Sequence, residues 1–232
     1  MKAFLLAAGH GTRLRPLTND TPKCLLPIRG VPLLQIWLQT FDLFGISEVL
    51  INVHSHAAVI HSFLESNRHL ARVRIVQEPE LLGSAGTILQ NRAWVDSEEF
   101  FWICYADVLH QVNLSAMLAF HQSRHPVATI GVYRVPDPSR CGVVELNENS
   151  LVTNFVEKPT RPQSNLAFSG LLIGTSALLN AIPSHLPADL GFDVFPHLVR
   201  QMVAYPISNY LIDIGTLSNY ELAQSTWPGV SY

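Results

Sequence analysis

The stretch LLAAGHGTRLRPLTNDTPKCLLPIRG, residues 5–30, runs from an apolar, strand-like start into a segment that is basic and punctuated by glycine. Gly9 and Gly11 let the backbone turn and present N–H groups to an anion, and Thr12 adds a hydroxyl. Arg13 and Lys23 supply full positive charges. Further along, Asp107 closes the apolar run FFWICYA and Asp213 follows YLI, so each carboxylate is expected where a buried strand reaches the open edge of a sheet. Two such carboxylates suit Mg²⁺, a hard ion that takes one or two carboxylates together with phosphate oxygens. Either aspartate alone serves equally well as a helix cap or turn former. Only three lysines, Lys2, Lys23 and Lys158, stand against twelve arginines, and two of the three fall in TPKC and EKPT. A compact ammonium on a flexible stem is a good phosphate partner, although three lysines on an ordinary surface would look the same.

Two familiar phosphate loops are excluded. The dinucleotide fingerprint needs a third glycine where Leu14 stands and an acidic residue after the second strand, which instead ends INVHSH. No GK[ST] follows the glycines, so the Walker loop is absent too. A bare GxG is otherwise an ordinary tight turn.

The elements that would position these residues alternate in type. KAFLLAA (2–8), EVLINV (48–53), VRIVQE (73–78), FFWICYAD (100–107) and ATIGVYRV (128–135) read as buried strands. Between them, Leu33, Leu34, Trp37, Leu38, Phe41 and Phe44 recur at helical spacing up to Gly45, and Val59, Ile60, Phe63 and Leu64 repeat the pattern behind Ser55 as N-cap. Such alternation predicts an α/β domain with a Rossmann-like, mostly parallel sheet flanked by helices, its ligands at the carboxyl ends of the strands. After Val135, two strand-like runs around Asn147–Ser150 predict a hairpin; a strand LAFSGLLIG and helices around 176–182 and 192–202 follow. The expectation is one domain over 1–232 with a small β insertion at about 140–175.

Composition limits the function classes. A chain of 232 residues, 48% hydrophobic, with formal net charge −3, buries a real core and offers no broad basic surface for nucleic acid or a membrane. Cys24, Cys104 and Cys141 are odd in number and far apart, which fits a reducing compartment. The N-terminal apolar run is shorter than a signal peptide needs, so a cytoplasmic location is expected.

The chain resembles the sugar-1-phosphate nucleotidyltransferases, the pyrophosphorylases that make nucleoside-diphosphate sugars, and within them looks most like mannose-1-phosphate guanylyltransferases. The resemblance is carried by LAAGHGTRLRPLT, TPKCLLPI, EPELLGSAGTI (78–88), YAD (105–107), CGVVEL, FVEKP, FSG (168–170) and YLIDIGTLSNY (210–220), in the family's order. Cys24 departs from a common proline, Ala106 from a glycine and Ser169 from an asparagine; the last touches the sugar pocket. No hexapeptide-repeat β-helix follows before Tyr232. The implied reaction is attack by a sugar-1-phosphate oxygen on the α-phosphorus of a nucleoside triphosphate, with release of pyrophosphate. It needs positioning and charge neutralisation rather than a nucleophilic side chain.

By this resemblance Asp107 and Asp213 hold Mg²⁺, Lys23 holds triphosphate oxygens, and Arg13 neutralises departing pyrophosphate while Arg15 faces solvent. Leu6, Ala7, Ala8, Gly9, Gly11, Thr12, Gly83, Ser84 and Tyr105 line the nucleotide. Lys158 takes the phosphate of the sugar phosphate, and Gly142, Glu157, Ser169 and Gly170 line the sugar. Glu78 stands where the family reads the base; an ionised carboxylate only accepts hydrogen bonds, so it matches the N1–H and amino group of guanine. GTP is therefore expected over UTP and dTTP, with a manno-configured sugar phosphate as acceptor. The implied partners are these two substrates, with no nucleic acid or membrane, and a homo-oligomer is compatible. A uridylyl- or thymidylyltransferase, a non-catalytic nucleotide-sugar-binding subunit and a dinucleotide oxidoreductase are the rivals. His54, His56 and His61 lack a zinc pattern and read as surface or capping residues; Trp37, Trp94 and Trp102 read as core. Cys104 reads as inert and Cys24, beside Lys23, as somewhat reactive.

Overall fold

The computed structural model describes residues 1–67 and 72–230. In chain order the strands are β1 (Lys2–Leu6), β2 (Pro27–Ile28), β3 (Val31–Pro32), β4 (Glu48–Val53), β5 (Arg72–Gln77), β6 (Phe101–Tyr105), β7 (Val108–His110), β8 (Ala128–Arg134), β9 (Gly142–Leu146), β10 (Val152–Glu157), β11 (Leu166–Gly174), β12 (Met202–Pro206) and β13 (Leu211–Asp213). The helices are α1 (Leu33–Leu43), α2 (Ala57–Ser66), α3 (Gly83–Gln90), α4 (Leu114–Arg124), α5 (Ser176–Asn180) and α6 (Leu217–Thr226). The chain folds as two interleaved compact units, residues 1–81, 104–113 and 209–232 in one and 82–103 and 114–208 in the other.

The first unit is built on parallel strands. β1 pairs with β4 from Lys2↔Glu48 to Leu6↔Asn52, and β4 pairs with β5 from Glu48↔Arg72 to Val53↔Gln77. Parallel strands are covered on both faces, which is why β1 and β4 are almost continuously apolar. Trp37, Leu34, Leu38 and Phe41 of α1 are buried, so the helical spacing read from the sequence marks the core-facing side. The short strand β13 runs antiparallel to β7, with Asp213 opposite Val108.

The second unit is mainly antiparallel. β9 and β10 form the expected hairpin, Glu157 opposite Gly142, and β11 pairs antiparallel with both β9 and β8. β12 lies parallel to β8. Phe195 is buried between the rings of Phe155 and Phe168, at centroid distances of 5.1 and 5.2 Å.

Two local expectations are corrected. The N-cap of α2 is His56, in the left-handed region at φ 57°, rather than Ser55. The helix expected at 192–202 is a π-turn over Leu190–Val194 followed by a 3₁₀ turn over Phe195–Leu198. Pro196 has no N–H for a continuing α-helical ladder. Among the described residues no helix is long and apolar enough to cross a membrane.

Candidate functional site

In the first unit, the strand ends converge as parallel-sheet topology requires. The loop after β1 turns at Gly11, whose φ of 64° lies in the left-handed region that glycine enters at little cost. Thr18 donates to the Gly11 carbonyl at 2.8 Å, which fixes the turn. Around Gly9 there is open space: a Cβ there would meet nothing within 4 Å. Thr12 and Arg13 follow in an exposed 3₁₀ turn, and Arg15 faces solvent as expected.

Lys23 opens a second 3₁₀ turn behind Pro22 and brings its ammonium between the two aspartates. Its Nζ lies 2.5 Å from Asp107 Oδ2 and 3.8 Å from Asp213 Oδ1. The pairing of β7 with β13 joins the two carboxylates, and the Ile214 amide bonds the Asp107 carbonyl at 3.0 Å. Gly215 donates its N–H to Asp213 Oδ1 at 2.5 Å. A Cβ on Gly215 would sit 2.7 Å from that oxygen, 3.0 Å from an Arg13 guanidinium nitrogen and 3.2 Å from Lys23 Nζ. Three charged side chains thus converge on one bare Cα. Burial, and next the charge of Asp107, push the Asp213 carboxyl above its ordinary range, against the pull of Lys23, the Gly215 amide and Arg13. The cluster combines two carboxylates and two cations, a composition fitted to hold a polyanion and a hard cation together.

Asn52 was not singled out by sequence, because it sits inside the apolar run of β4. Its Oδ1 accepts from the Ala7 amide at 2.8 Å, and its Nδ2 donates to Glu78 Oε1 at 2.9 Å. The Glu78 carboxylate was expected at the edge of a base. It is instead 2% exposed, with one oxygen given to Asn52. Its position after β5 points the side chain into the sheet end, where it orients Asn52 and, through it, the glycine loop. His54 Nδ1 bonds the Glu78 carbonyl at 2.8 Å and packs edge-on against His10 at 5.1 Å. Tyr105, at the end of β6, is half-buried. His56 caps α2 and His61 lies exposed along it. Among the described residues no cluster of three or more His, Cys, Asp or Glu could hold a metal ion. Cys24 is buried and its thiol is pushed up to about 12, so the reactivity expected of it is absent; burial pushes the Cys104 thiol up as well.

In the second unit, Glu157 and Lys158 end β10. The Glu157 carboxylate is pinched between two glycines: a Cβ on Gly142 would lie 2.7 Å from Oε2, and one on Gly191 would clash with the same oxygen. Burial raises the Glu157 carboxyl; Lys158 lowers it and Asp189 raises it further. Lys158 has φ 48°, an uncommon conformation for a side-chain-bearing residue, and its ammonium lies 3.4 Å from Glu157 Oε1. Gly83 opens α3 at φ 78°, with no room for a Cβ beside the Ala188 carbonyl. Ser84 donates to Asp189 Oδ2 at 2.8 Å and accepts from the Leu190 amide at 2.8 Å. Gly170 is left-handed at φ 80°. Ser169 departs from expectation. It is 3% exposed, and its Oγ, which accepts from the Leu171 amide, fills the space where a Gly131 side chain would be. The pairing of β11 with β8 is irregular between Phe168 and Leu172, and the serine there faces inward.

The nucleotidyl transferase family model matches residues 2–227. The chain is 31% identical over 227 residues to mannose-1-phosphate guanylyltransferase 1 of Arabidopsis thaliana, covering 95% of this chain and 63% of that protein. It is 32% identical over 219 residues to the mannose-1-phosphate guanylyltransferase catalytic subunit beta of Drosophila melanogaster, covering 92% of this chain and 59% of that protein. The chain therefore spans about three-fifths of the length of these relatives. A solved structure of a putative glucose-1-phosphate thymidylyltransferase from Bacillus anthracis superposes with a TM-score of 0.88 over 100% of this chain and 97% of that one, at 21% identity.

Proposed function

Because the chain belongs to the nucleotidyl transferase family, we propose that it transfers a guanylyl group from GTP to mannose 1-phosphate or a related manno-configured sugar 1-phosphate, forming a GDP-sugar and pyrophosphate. The observation that carries the reading is the convergence of Arg13, Lys23 and Asp213 on the bare Cα of Gly215, with Asp107 joined to them through the Lys23 ammonium. A site of pure recognition has no need to bring like-charged carboxylates to one ammonium.

In this reading a phosphate oxygen of the acceptor attacks the α-phosphorus. The bond to the β-phosphate bridging oxygen breaks, and the electron pair leaves on pyrophosphate. Transfer is direct, and the protein's task is alignment and charge compensation. The amides of Gly9 to Thr12 and the Lys23 ammonium hold the triphosphate, and Arg13 offsets the charge that grows on the leaving group. Lys158 binds the acceptor phosphate while the clamped Glu157 carboxylate accepts from sugar hydroxyls. Asp107 and Asp213 fit Mg²⁺: both carboxylates stand beside the one Lys23 ammonium, and two carboxylates leave the remaining coordination to phosphate and water. Such an ion supplies charge neutralisation on the transferring phosphate when bound.

The guanine preference is supported by the named substrates of the relatives and not by Glu78, whose carboxylate is buried. The three free cysteines fit a reducing compartment such as the cytoplasm. The test is a matrix of GTP, UTP, dTTP, ATP and CTP against mannose, glucose and N-acetylglucosamine 1-phosphates, read by pyrophosphate release. GTP with the manno-configured acceptor is expected to give the highest kcat/KM; a larger value for UTP or dTTP with any acceptor overturns the base assignment.

A further inference from the structure

Phe192 occupies a place that the proposed reaction has not yet used. It is 54% exposed, yet the turn that carries it is held by several side-chain hydrogen bonds. Asp189 Oδ1 accepts from the amides of Gly191 at 2.8 Å and Phe192 at 3.2 Å, and Asp189 Oδ2 accepts from Ser84. The Asp189 amide in turn donates to Asp193 Oδ2 at 2.7 Å, and the following Phe195 is anchored in the aromatic cluster of Phe155 and Phe168. A π-turn is rare and frequently marks a functional site. Here it presses Gly191 against Glu157, and the next residue presents an aromatic ring to solvent. The Lys158 ammonium lies 5.2 Å from the centre of that ring, within cation–π range.

We infer that Phe192 is the aromatic wall of the acceptor subsite and a specificity-determining residue for the sugar 1-phosphate. This rests on the proposed assignment of Glu157 and Lys158 to that substrate. The ring offers an apolar face beside a carboxylate that accepts hydroxyl protons and an ammonium that takes phosphate. A hexopyranosyl 1-phosphate has the matching three features: a patch of C–H bonds, hydroxyls and a dianion. The ring also holds the ammonium beside the carboxylate until a phosphate draws it away.

The test uses the whole chain with Phe192→Ala, Phe192→Trp and Lys158→Ala, and mannose 1-phosphate as probe. Phe192 is exposed, so the alanine variant is expected to melt within about 2 °C of wild type. Phe192→Ala is expected to raise KM for the sugar phosphate by about five- to tenfold, while KM for the triphosphate stays within about twofold. Phe192→Trp is expected to restore most of the difference. Saturation-transfer NMR gives a readout independent of turnover: irradiation of aromatic protons reaches the ring C–H protons of the bound sugar phosphate in wild type and loses that pattern in Phe192→Ala. A loss in Lys158→Ala with none in Phe192→Ala overturns the inference and leaves the subsite reading intact. Absence of any effect in Lys158→Ala overturns the subsite reading and the inference with it. Equal KM increases for both substrates in Phe192→Ala also overturn the inference.

Discussion

Replacing Asn52 by leucine isolates what holds the glycine loop to the sheet. The side chain is buried, and two of its bonds are lost together: the one from the Ala7 amide at 2.8 Å and the one to Glu78 Oε1 at 2.9 Å. A neutral bond contributes about 1 kcal/mol and one to a charged group about 1.5 to 3 kcal/mol, so the variant should lose about 3 kcal/mol. For a chain of this size that is a fall in Tm of roughly 6 to 12 °C. The companion Asn52→Asp keeps an acceptor for Ala7 but places a second carboxylate against Glu78. The two must then share a proton, and the native pair is protonated at a pH where the unfolded chain is already ionised. The native state thus binds more protons, and stability falls as pH rises above the ordinary carboxylate range. Urea melts from pH 4.5 to 8 would show Asn52→Asp near wild type at the acid end and progressively weaker above it. At pH 7.5, where both variants fold at 20 °C, KM for GTP should rise with little change in that for the sugar phosphate. Glu78→Gln keeps an oxygen for Asn52, so it should leave the ratio of GTP to UTP use unchanged. A Glu78→Gln enzyme with altered base preference, or an Asn52→Leu enzyme as stable as wild type, would refute this reasoning.

Three further outcomes follow from the same geometry. Gly215→Ala should cut kcat by at least about tenfold with a stability loss below about 1 kcal/mol, because its Cβ would push the Asp213 carboxylate aside and press on the flexible ends of Arg13 and Lys23; steady-state kinetics beside thermal melts separate the two effects. Glu157, whose carboxyl is raised by burial, should take up a proton earlier than an ordinary glutamate as pH falls from 7, so KM for the sugar phosphate climbs at mildly acidic pH, and Glu157→Gln should flatten that climb. His110 is buried, accepts from the Val112 amide at 3.0 Å, and is held down to about 3 by desolvation. The unfolded chain protonates near pH 6.5, so stability falls as pH drops below that value, by about 2 kcal/mol at pH 5. His110→Asn, which still offers Val112 an acceptor, should lose less in denaturant melts at pH 5 than at pH 7 relative to wild type.

Much of this site was legible in the sequence because its charged residues follow apolar strands. β4 is found at Glu48–Val53 as read, and Asp107 and Asp213 meet, as the reading of both at strand ends required. What was hidden depends on pairing between distant segments. Asn52 looks like one polar residue in an apolar run until Ala7 and Glu78 are placed on either side of it. A glutamate after a strand reads as exposed from its charge alone, and the amide donor beside it helps offset the cost of burial. Ser169 was misplaced because period-two alternation fails where β11 loses its register. Gly215 and Gly191 left no signal of charge or hydropathy; their importance lies in which carboxylates press on them.

The most direct test of nucleotidyl transfer is a ³¹P NMR time course with GTP, mannose 1-phosphate and Mg²⁺. The acceptor's monoester signal and the triphosphate signals are expected to fall together while the paired doublets of a sugar diphosphate and one equivalent of pyrophosphate appear, and Lys23→Ala and Asp107→Asn are expected to suppress both products in step. Release of inorganic phosphate with GDP, or release of GMP with the sugar phosphate unconsumed, would contradict it.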